Sequence, residues 1–211
     1  MKDRINRYKQ FNLNNEKLQR IIHFGFEEFS KNDFTKASTN QIVQKADVSR
    51  GLLYHYFKDK EDLYDFLIFY SIKISVEEIE EKINWEETDF LNRIQQAISV
   101  KLSWLEKYPY LFSFYNTLNR SKMIKTKKNM RFQIDHFREK FYNDHLDFSF
   151  LKPGVNKDMV IQLTRFTIKQ LTQDYLDQCL YQGMVFQKDS IMKEIQAYLK
   201  WFRCIFYQSR S

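Results

Sequence analysis

Only four glycines and two prolines punctuate this chain of 211 residues. Sheet-rich folds need frequent tight turns, and those turns lean on glycine and proline. A chain so poor in both is committed to a few long helices joined by short loops. Pro109 and Pro153 then mark helix boundaries, because a proline inside a helix removes a backbone hydrogen bond. Twenty Phe, thirteen Tyr and three Trp supply ring area for a sizeable core, since each buried ring removes a large apolar surface from water. The expected class is all-α, with about nine helices in one large domain or two small ones.

The charge is uneven. Residues 1–60 carry 12 Lys/Arg against 7 Asp/Glu (+5), whereas residues 61–211 carry 22 against 20 (+2). The first quarter therefore faces a polyanion or simply a solvated basic surface. Cys179 and Cys204 are isolated and have neither metal nor redox spacing, so they read as thiols in a reducing cytoplasm. No metal and no cofactor is expected. The opening run Met1 to Arg7 lacks the apolar core of a signal peptide, and no stretch approaches 18 uninterrupted apolar residues. A cytoplasmic protein with no membrane partner is expected.

Residues 1–13 are polar and basic without periodicity, and read as a mobile arm. Leu18, Ile21, Ile22, Phe26 and Phe29 then share one face with small Gly25, giving a helix near 15–30. Ser38 and Gln41 have capping-box spacing before a second helix, on which Ile42, Val43 and Ala46 face inward. Asp47-Val48-Ser49 makes a turn, and Ser49 caps a third helix from Arg50 to Phe57 anchored by Leu53 and Phe57. Asp59 is placed to cap a fourth helix reaching about Asn84, with Glu61 and Asp62 at the positive end of its dipole. Five more helices are expected at about 88–107, Pro109 to 119, 123–146, 157–182 and 189–207. Gly183 is a plausible helix-ending residue between the last two.

With Leu53 and Phe57 turned inward, the opposite side of the third helix presents Arg50, Tyr54 and His55, with Gly51 and Leu52 beside them. A helix that enters a DNA groove needs this mixture of donors for phosphates and base edges, with a small residue at the closest approach. The run from Thr39 through Leu63 resembles the TetR family of bacterial repressors, tracking the pattern T-x-x-I-A-x-x-A-G-V-S-x-G-x-L-Y-x-Y-F-x-x-K-E-x-L. Phe29 and Phe34 also sit where that family has aromatics. Two positions depart from it. Val43 replaces an alanine, and Asp47 replaces a glycine but can enter the left-handed region at modest cost.

The resemblance implies a helix-turn-helix DNA-binding domain over 14–60 and an effector-binding and dimerisation domain over 61–211, linked by the helix at 60–84. It implies that Thr39 and Lys60 bond phosphates, that Ser49 and Arg50 open the recognition helix with Arg50 reading a guanine edge, and that Leu52 touches a thymine methyl. Gly51 permits the approach, and Tyr54 and His55 bond phosphates or a base edge. Ser49 also suits a pure helix cap, and Tyr56 reads as core. Arg4, Arg7 and Lys9 could reach a minor groove or fray.

In the second half, Val100, Trp104 and Tyr108 form a second apolar line beside the main stripe of their helix. Phe132 and His136 sit beside another, and Phe166, Gln170, Gln173 and Tyr175 mix polar tips with aromatic bodies. Apolar walls with a few polar groups describe a ligand cavity, and they equally describe an aromatic-rich core. The last two helices are apolar on more than one side, which requires two buried faces. By the resemblance, Ile161, Ile168, Leu176, Ile195, Tyr198, Phe202 and Ile205 would enter a four-helix interface of a homodimer. The expected function is a ligand-responsive regulator, a repressor released from a palindromic operator by a small hydrophobic effector. An effector-independent DNA-binding protein or an activator is the alternative. An enzyme is not expected, because His23, His55, His136 and His145 have no matching catalytic partners.

Overall fold

The computed structural model describes residues 2–120 and 128–208, and the side chains of residues 4–118 and 134–208. Ten helices run through the described residues. They are α1 (Lys2–Lys9), α2 (Glu16–Lys31), α3 (Thr39–Lys45), α4 (Arg50–Tyr56), α5 (Lys60–Lys82), α6 (Phe90–Lys107), α7 (Leu111–Arg120), α8 (Lys128–Asn143), α9 (Lys157–Tyr181) and α10 (Lys188–Phe206). The extra helix is α1. The arm expected at 1–13 is instead helical over Lys2–Lys9, because Tyr8 is buried and its hydroxyl donates to the Asp62 carboxylate at 2.6 Å. Among the described residues, no helix is long and apolar enough to cross a membrane.

The chain forms two compact units, residues 1–76 with 110–134 and residues 77–109 with 135–211. This division cuts across the one expected from sequence, since α7 joins the unit that holds α1 to α4.

In the first unit α2 is the axis. Asn15 caps it by accepting the Leu18 N–H at 3.0 Å, and Leu18, Ile21, Ile22, Phe26 and Phe29 are buried along one face. Burying a Leu or Phe side chain fully is worth about 1.5–3 kcal/mol, so this stripe fixes the unit. Gly25 lets α5 approach: a Cβ there would stand 2.9 Å from Leu67 Cδ1. Helix α7 closes the other side, with Phe114 lying 5.1 Å from Phe26 and 5.7 Å from Tyr64 between ring centroids. The Tyr115 hydroxyl donates to Ser71 O and hydrogen-bonds the Ser75 hydroxyl on α5, and burial pushes its pKa up to about 12.

In the second unit α10 packs on α6 and on α9. Asp89 caps α6 through the Asn92 N–H at 3.0 Å and receives the Arg203 guanidinium at 2.8 Å. Arg93 is fully buried. Its two terminal nitrogens donate to four backbone carbonyls: Trp85 at 3.1 Å, Glu87 at 2.6 Å, Phe141 at 3.3 Å and Asp144 at 2.6 Å. The last two belong to the carboxyl end of α8, where a helix leaves orphan acceptors. Gly183, at φ +74, ends α9 in the left-handed conformation, as its position predicts. A lone antiparallel bridge joins Leu151 to Tyr207.

Candidate nucleic-acid interface

The helix-turn-helix is built from local signals and two tertiary ties. Ser38 caps α3 by accepting the Gln41 N–H at 3.4 Å, which is one half of the expected capping box. The Ser38 N–H itself goes to the buried Glu28 carboxylate at 2.8 Å, so a side chain of α2 takes the place the box gave to Gln41. Glu27 accepts from both Lys31, at 2.7 Å, and Lys45 of α3, at 2.9 Å. Burial raises the Glu27 pKa, but the lysine hydrogen bonds and charges outweigh it and hold the group below the usual value.

The turn follows. Asp47 adopts φ +50, the left-handed geometry that glycine supplies at no cost and Asp tolerates. Arg20 of α2 steadies it by donating to Asp47 O at 3.3 Å. Ser49 then caps α4, accepting the Leu52 N–H at 3.1 Å. Leu53 and Phe57 are buried and hold the helix to the unit. A shallow groove of about 580 Å³ flanks the turn, lined by Lys17, Val43, Gln44, Asp47, Val48, Ser49 and Leu52.

Arg50, Gly51, Tyr54 and His55 lie exposed on the other side of α4, and Leu52 is half-buried. Tyr54 is 42% exposed, and the Arg50 guanidinium sits 5.9 Å from its ring centroid. Thr39 is brought to the same place. Its hydroxyl, followed by Arg50, hydrogen-bonds the Tyr54 phenol and holds that phenol's pKa below the usual value. Thr39 is therefore engaged with Tyr54 rather than standing apart at the start of α3. Tyr56, which is half-buried, packs edge-on against Phe11 at 5.4 Å.

Lys60 is placed differently from a free phosphate ligand. Its ammonium donates to Thr35 O at 3.2 Å and Ala37 O at 3.0 Å and lies 4.9 Å from the Phe34 ring centroid. An ammonium has three donors, so one is left beyond these two. The sequence could not show this, since the acceptors are backbone carbonyls of a preceding loop.

The residues proposed from sequence for a ligand cavity differ in burial. Tyr108 is buried and stacked with half-buried Trp104 at 6.1 Å, with half-buried Val100 on the same helix. Phe166, however, is 65% exposed, and Gln170 and His136 are exposed as well. Gln170 and Gln173 donate to Asp174 and Asp177 at 2.7 Å each, one turn along their own helix. Tyr175 exchanges hydrogen bonds with the Gln187 backbone at 3.0 Å and meets Phe186 edge-on. The side chain of Phe132 lies outside the described residues.

The residues proposed for a dimer interface also differ in burial. Ile161, Ile168, Leu176, Ile195 and Phe202 are buried within the protomer's own unit, so they are its core. Tyr198 is half-buried and Ile205 is 39% exposed. The large apolar side chains that α9 and α10 leave open are Met159, Leu163, Phe166 and Tyr181 on one helix and Trp201 and Ile205 on the other. Among the described residues, no three His, Cys, Asp or Glu side chains gather in a way that could hold a metal ion.

An all-helical chain with a capped helix-turn-helix at its amino end, presenting a cationic and aromatic helix face, defines a DNA-binding regulator fold. Residues 21–66 match the family model for bacterial regulatory proteins of the tetR family. The helix-turn-helix lies within that matched segment and is similar to the domain of that family. The whole chain shares its fold with solved regulators of that family. One is a TetR family transcriptional regulator from Chloroflexus aurantiacus J-10-FL, 19% identical with a TM-score of 0.67, covering 94% of this chain and 97% of that one. A second is the ketosteroid transcriptional regulator KstR2 of Mycobacterium tuberculosis, 15% identical, TM-score 0.67, covering 94% and 98%. The fatty acid degradation regulator FadR from Bacillus halodurans is similar at 15% identity and a TM-score of 0.56, covering 90% and 96%.

Proposed function

We propose that this chain is a ligand-responsive transcription regulator, a homodimer that grips a palindromic operator and lets it go when a small hydrophobic effector binds. The observation that carries the reading is the two-sided character of α4. Leu53 and Phe57 are spent on anchoring, while Arg50, Gly51, Tyr54 and His55 stay open to solvent. In this reading Arg50 pairs with a guanine edge, where a bidentate contact is worth about 1–3 kcal/mol of discrimination. Leu52 meets a thymine methyl. Ser49 adds a phosphate contact to its capping role, and His55 and the remaining Lys60 donor bond the backbone. Thr39 acts through Tyr54, holding the phenol in position for a phosphate.

The open apolar side chains of α9 and α10 support the dimer in this reading. Phe166 and Trp201, 65% and 58% exposed, lie on the two helices that would meet their copies across a two-fold axis. A symmetric dimer sets two recognition helices about 34–36 Å apart, one turn of DNA. An effector of hydrophobic character suits the stacked Trp104 and Tyr108, and two proteins of similar fold are named for ketosteroids and for fatty acid degradation.

Selection of duplexes from a random pool by the purified protein is the test. A two-fold symmetric consensus bound by a dimer is expected. A library of lipophilic compounds should then contain one that weakens binding by roughly 5–150-fold, the usual range of allosteric coupling. Recovery of duplexes with no shared sequence would remove the reading.

A further inference from the structure

Phe11, ahead of the family match, packs against the carboxyl end of α4. Asp62, near the start of α5, has a side chain with no exposure at all. Its carboxylate accepts from the Tyr8 hydroxyl at 2.6 Å, from the Arg7 guanidinium, and from the Lys58 N–H at 2.8 Å. Arg4 adds an ion pair to Asp65 at 3.1 Å. Lys58 is the second residue after α4, so one buried carboxylate holds α1 on one side and the carboxyl end of α4 on the other. The ring of Phe11 completes the contact, 5.4 Å from Tyr56, 5.7 Å from Phe57 and 5.3 Å from Phe66 between centroids.

We infer that α1 is a strut for the recognition helix, with Tyr8, Arg7 and Phe11 as positioning residues for DNA recognition that act through Asp62 and Tyr56. Residues 21–66 carry the family match, so this strut lies ahead of the matched segment. A short helix such as α4, seven residues long, has little stability of its own. Its pitch in the groove depends on what holds its two ends. Ser49 fixes the first end, and the Asp62 cluster fixes the second. The Arg7 guanidinium is held on a buried carboxylate that already compensates its charge, which suits a strut better than an arm laid along DNA.

The inference rests on the DNA-binding reading above, and the experiment keeps the two apart. Full-length Tyr8→Phe, Arg7→Gln and wild-type proteins are compared by amide hydrogen exchange without DNA. Their affinities for the best duplex that wild type selects from a random pool are then measured at several salt concentrations. Faster exchange at the amides of residues 53–58 is expected in both variants. Binding should weaken by about tenfold, equal to ~1.4 kcal/mol, with the salt slope unchanged. A slope smaller by about one in Arg7→Gln would mean a direct phosphate contact and would overturn the strut. Unchanged exchange at those amides would overturn it too. Should wild type select no duplex, the DNA-binding reading falls, while the exchange comparison still decides whether α1 steadies α4.

Discussion

The buried carboxylate of Glu28 accepts the backbone N–H of Ser38 at 2.8 Å. One side chain of α2 thereby caps the helix that opens the DNA-binding motif, ten residues further along. Glu28 also receives the Asn32 amide at 3.2 Å, so the loop between α2 and α3 is closed at both ends by the same group.

Replacing that acceptor should loosen the motif as a whole. Glu28→Ala leaves an orphan N–H, and we expect a loss of about 1–3 kcal/mol in urea unfolding. Glu28→Gln keeps an acceptor oxygen and should recover most of it. Equal losses in both variants would show that the charge, not the cap, matters.

Arg93 is the corresponding lock of the second unit. Arg93→Met preserves much of the apolar stem but strands four carbonyl acceptors. A destabilisation of about 3 kcal/mol or more is expected, at the upper end of single substitutions. Calorimetry should show it as a lowered Tm; a shift within a degree or two of wild type would contradict the assignment.

Arg50 and Tyr54 are exposed, so their removal should cost recognition and not stability. Arg50→Ala is expected to weaken binding to the selected duplex by about 1–3 kcal/mol and to relax preference at one base pair. Tyr54→Phe removes the phenol that Thr39 steadies and should give a smaller, sequence-independent loss. Fluorescence anisotropy beside thermal melts separates the two quantities.

Phe166→Lys and Trp201→Lys place charges on the open apolar face of α9 and α10. Sedimentation should report monomers where wild type is dimeric, with melting little changed at low protein concentration. Retained dimers in both variants would move the interface elsewhere.

The Asp62 cluster sets an acid limit. Burial raises the Asp62 pKa, but the Tyr8 hydroxyl, the Lys58 N–H and Arg7 outweigh it and leave the folded value below the usual one. A carboxyl depressed in this way stabilises the fold above its unfolded pKa, about 3.9. That contribution drains away as pH falls through the lower, folded value. Urea midpoints measured from neutral pH down to about 3 should therefore fall less steeply in Asp62→Asn than in wild type.

The legible parts of this fold were those with local causes. Ser49, Leu53 and Phe57 lie within nine residues of one another in sequence, and together they declare a capped, one-sided helix whose open face follows by geometry. The tolerance of Asp47 for a left-handed turn is likewise a property of one residue. Helix α1 was not legible, because Tyr8 is polar-flanked and its partner Asp62 stands 54 positions away. In α9 the sequence showed two apolar lines but not which one faces inward. Ile161, Ile168 and Leu176 are buried whereas Met159, Leu163 and Phe166 are open, a choice made by the neighbouring helices. For Lys60 the family resemblance implies a phosphate contact and says nothing of its neighbours within the protein. The carbonyls of Thr35 and Ala37 claim it through a loop whose path no spacing reveals.

Helix α7 covers Phe26 and Tyr64 with Phe114 and reaches α5 through Tyr115. The DNA-reading piece is consequently discontinuous in the gene. A hybrid regulator spliced after Lys60 would inherit an open aromatic socket with no plug, and would aggregate or borrow a poor substitute from its new host. Exchange of specificities between such proteins has to carry the plug along, so recombination within this architecture is filtered by residues that never approach the double helix.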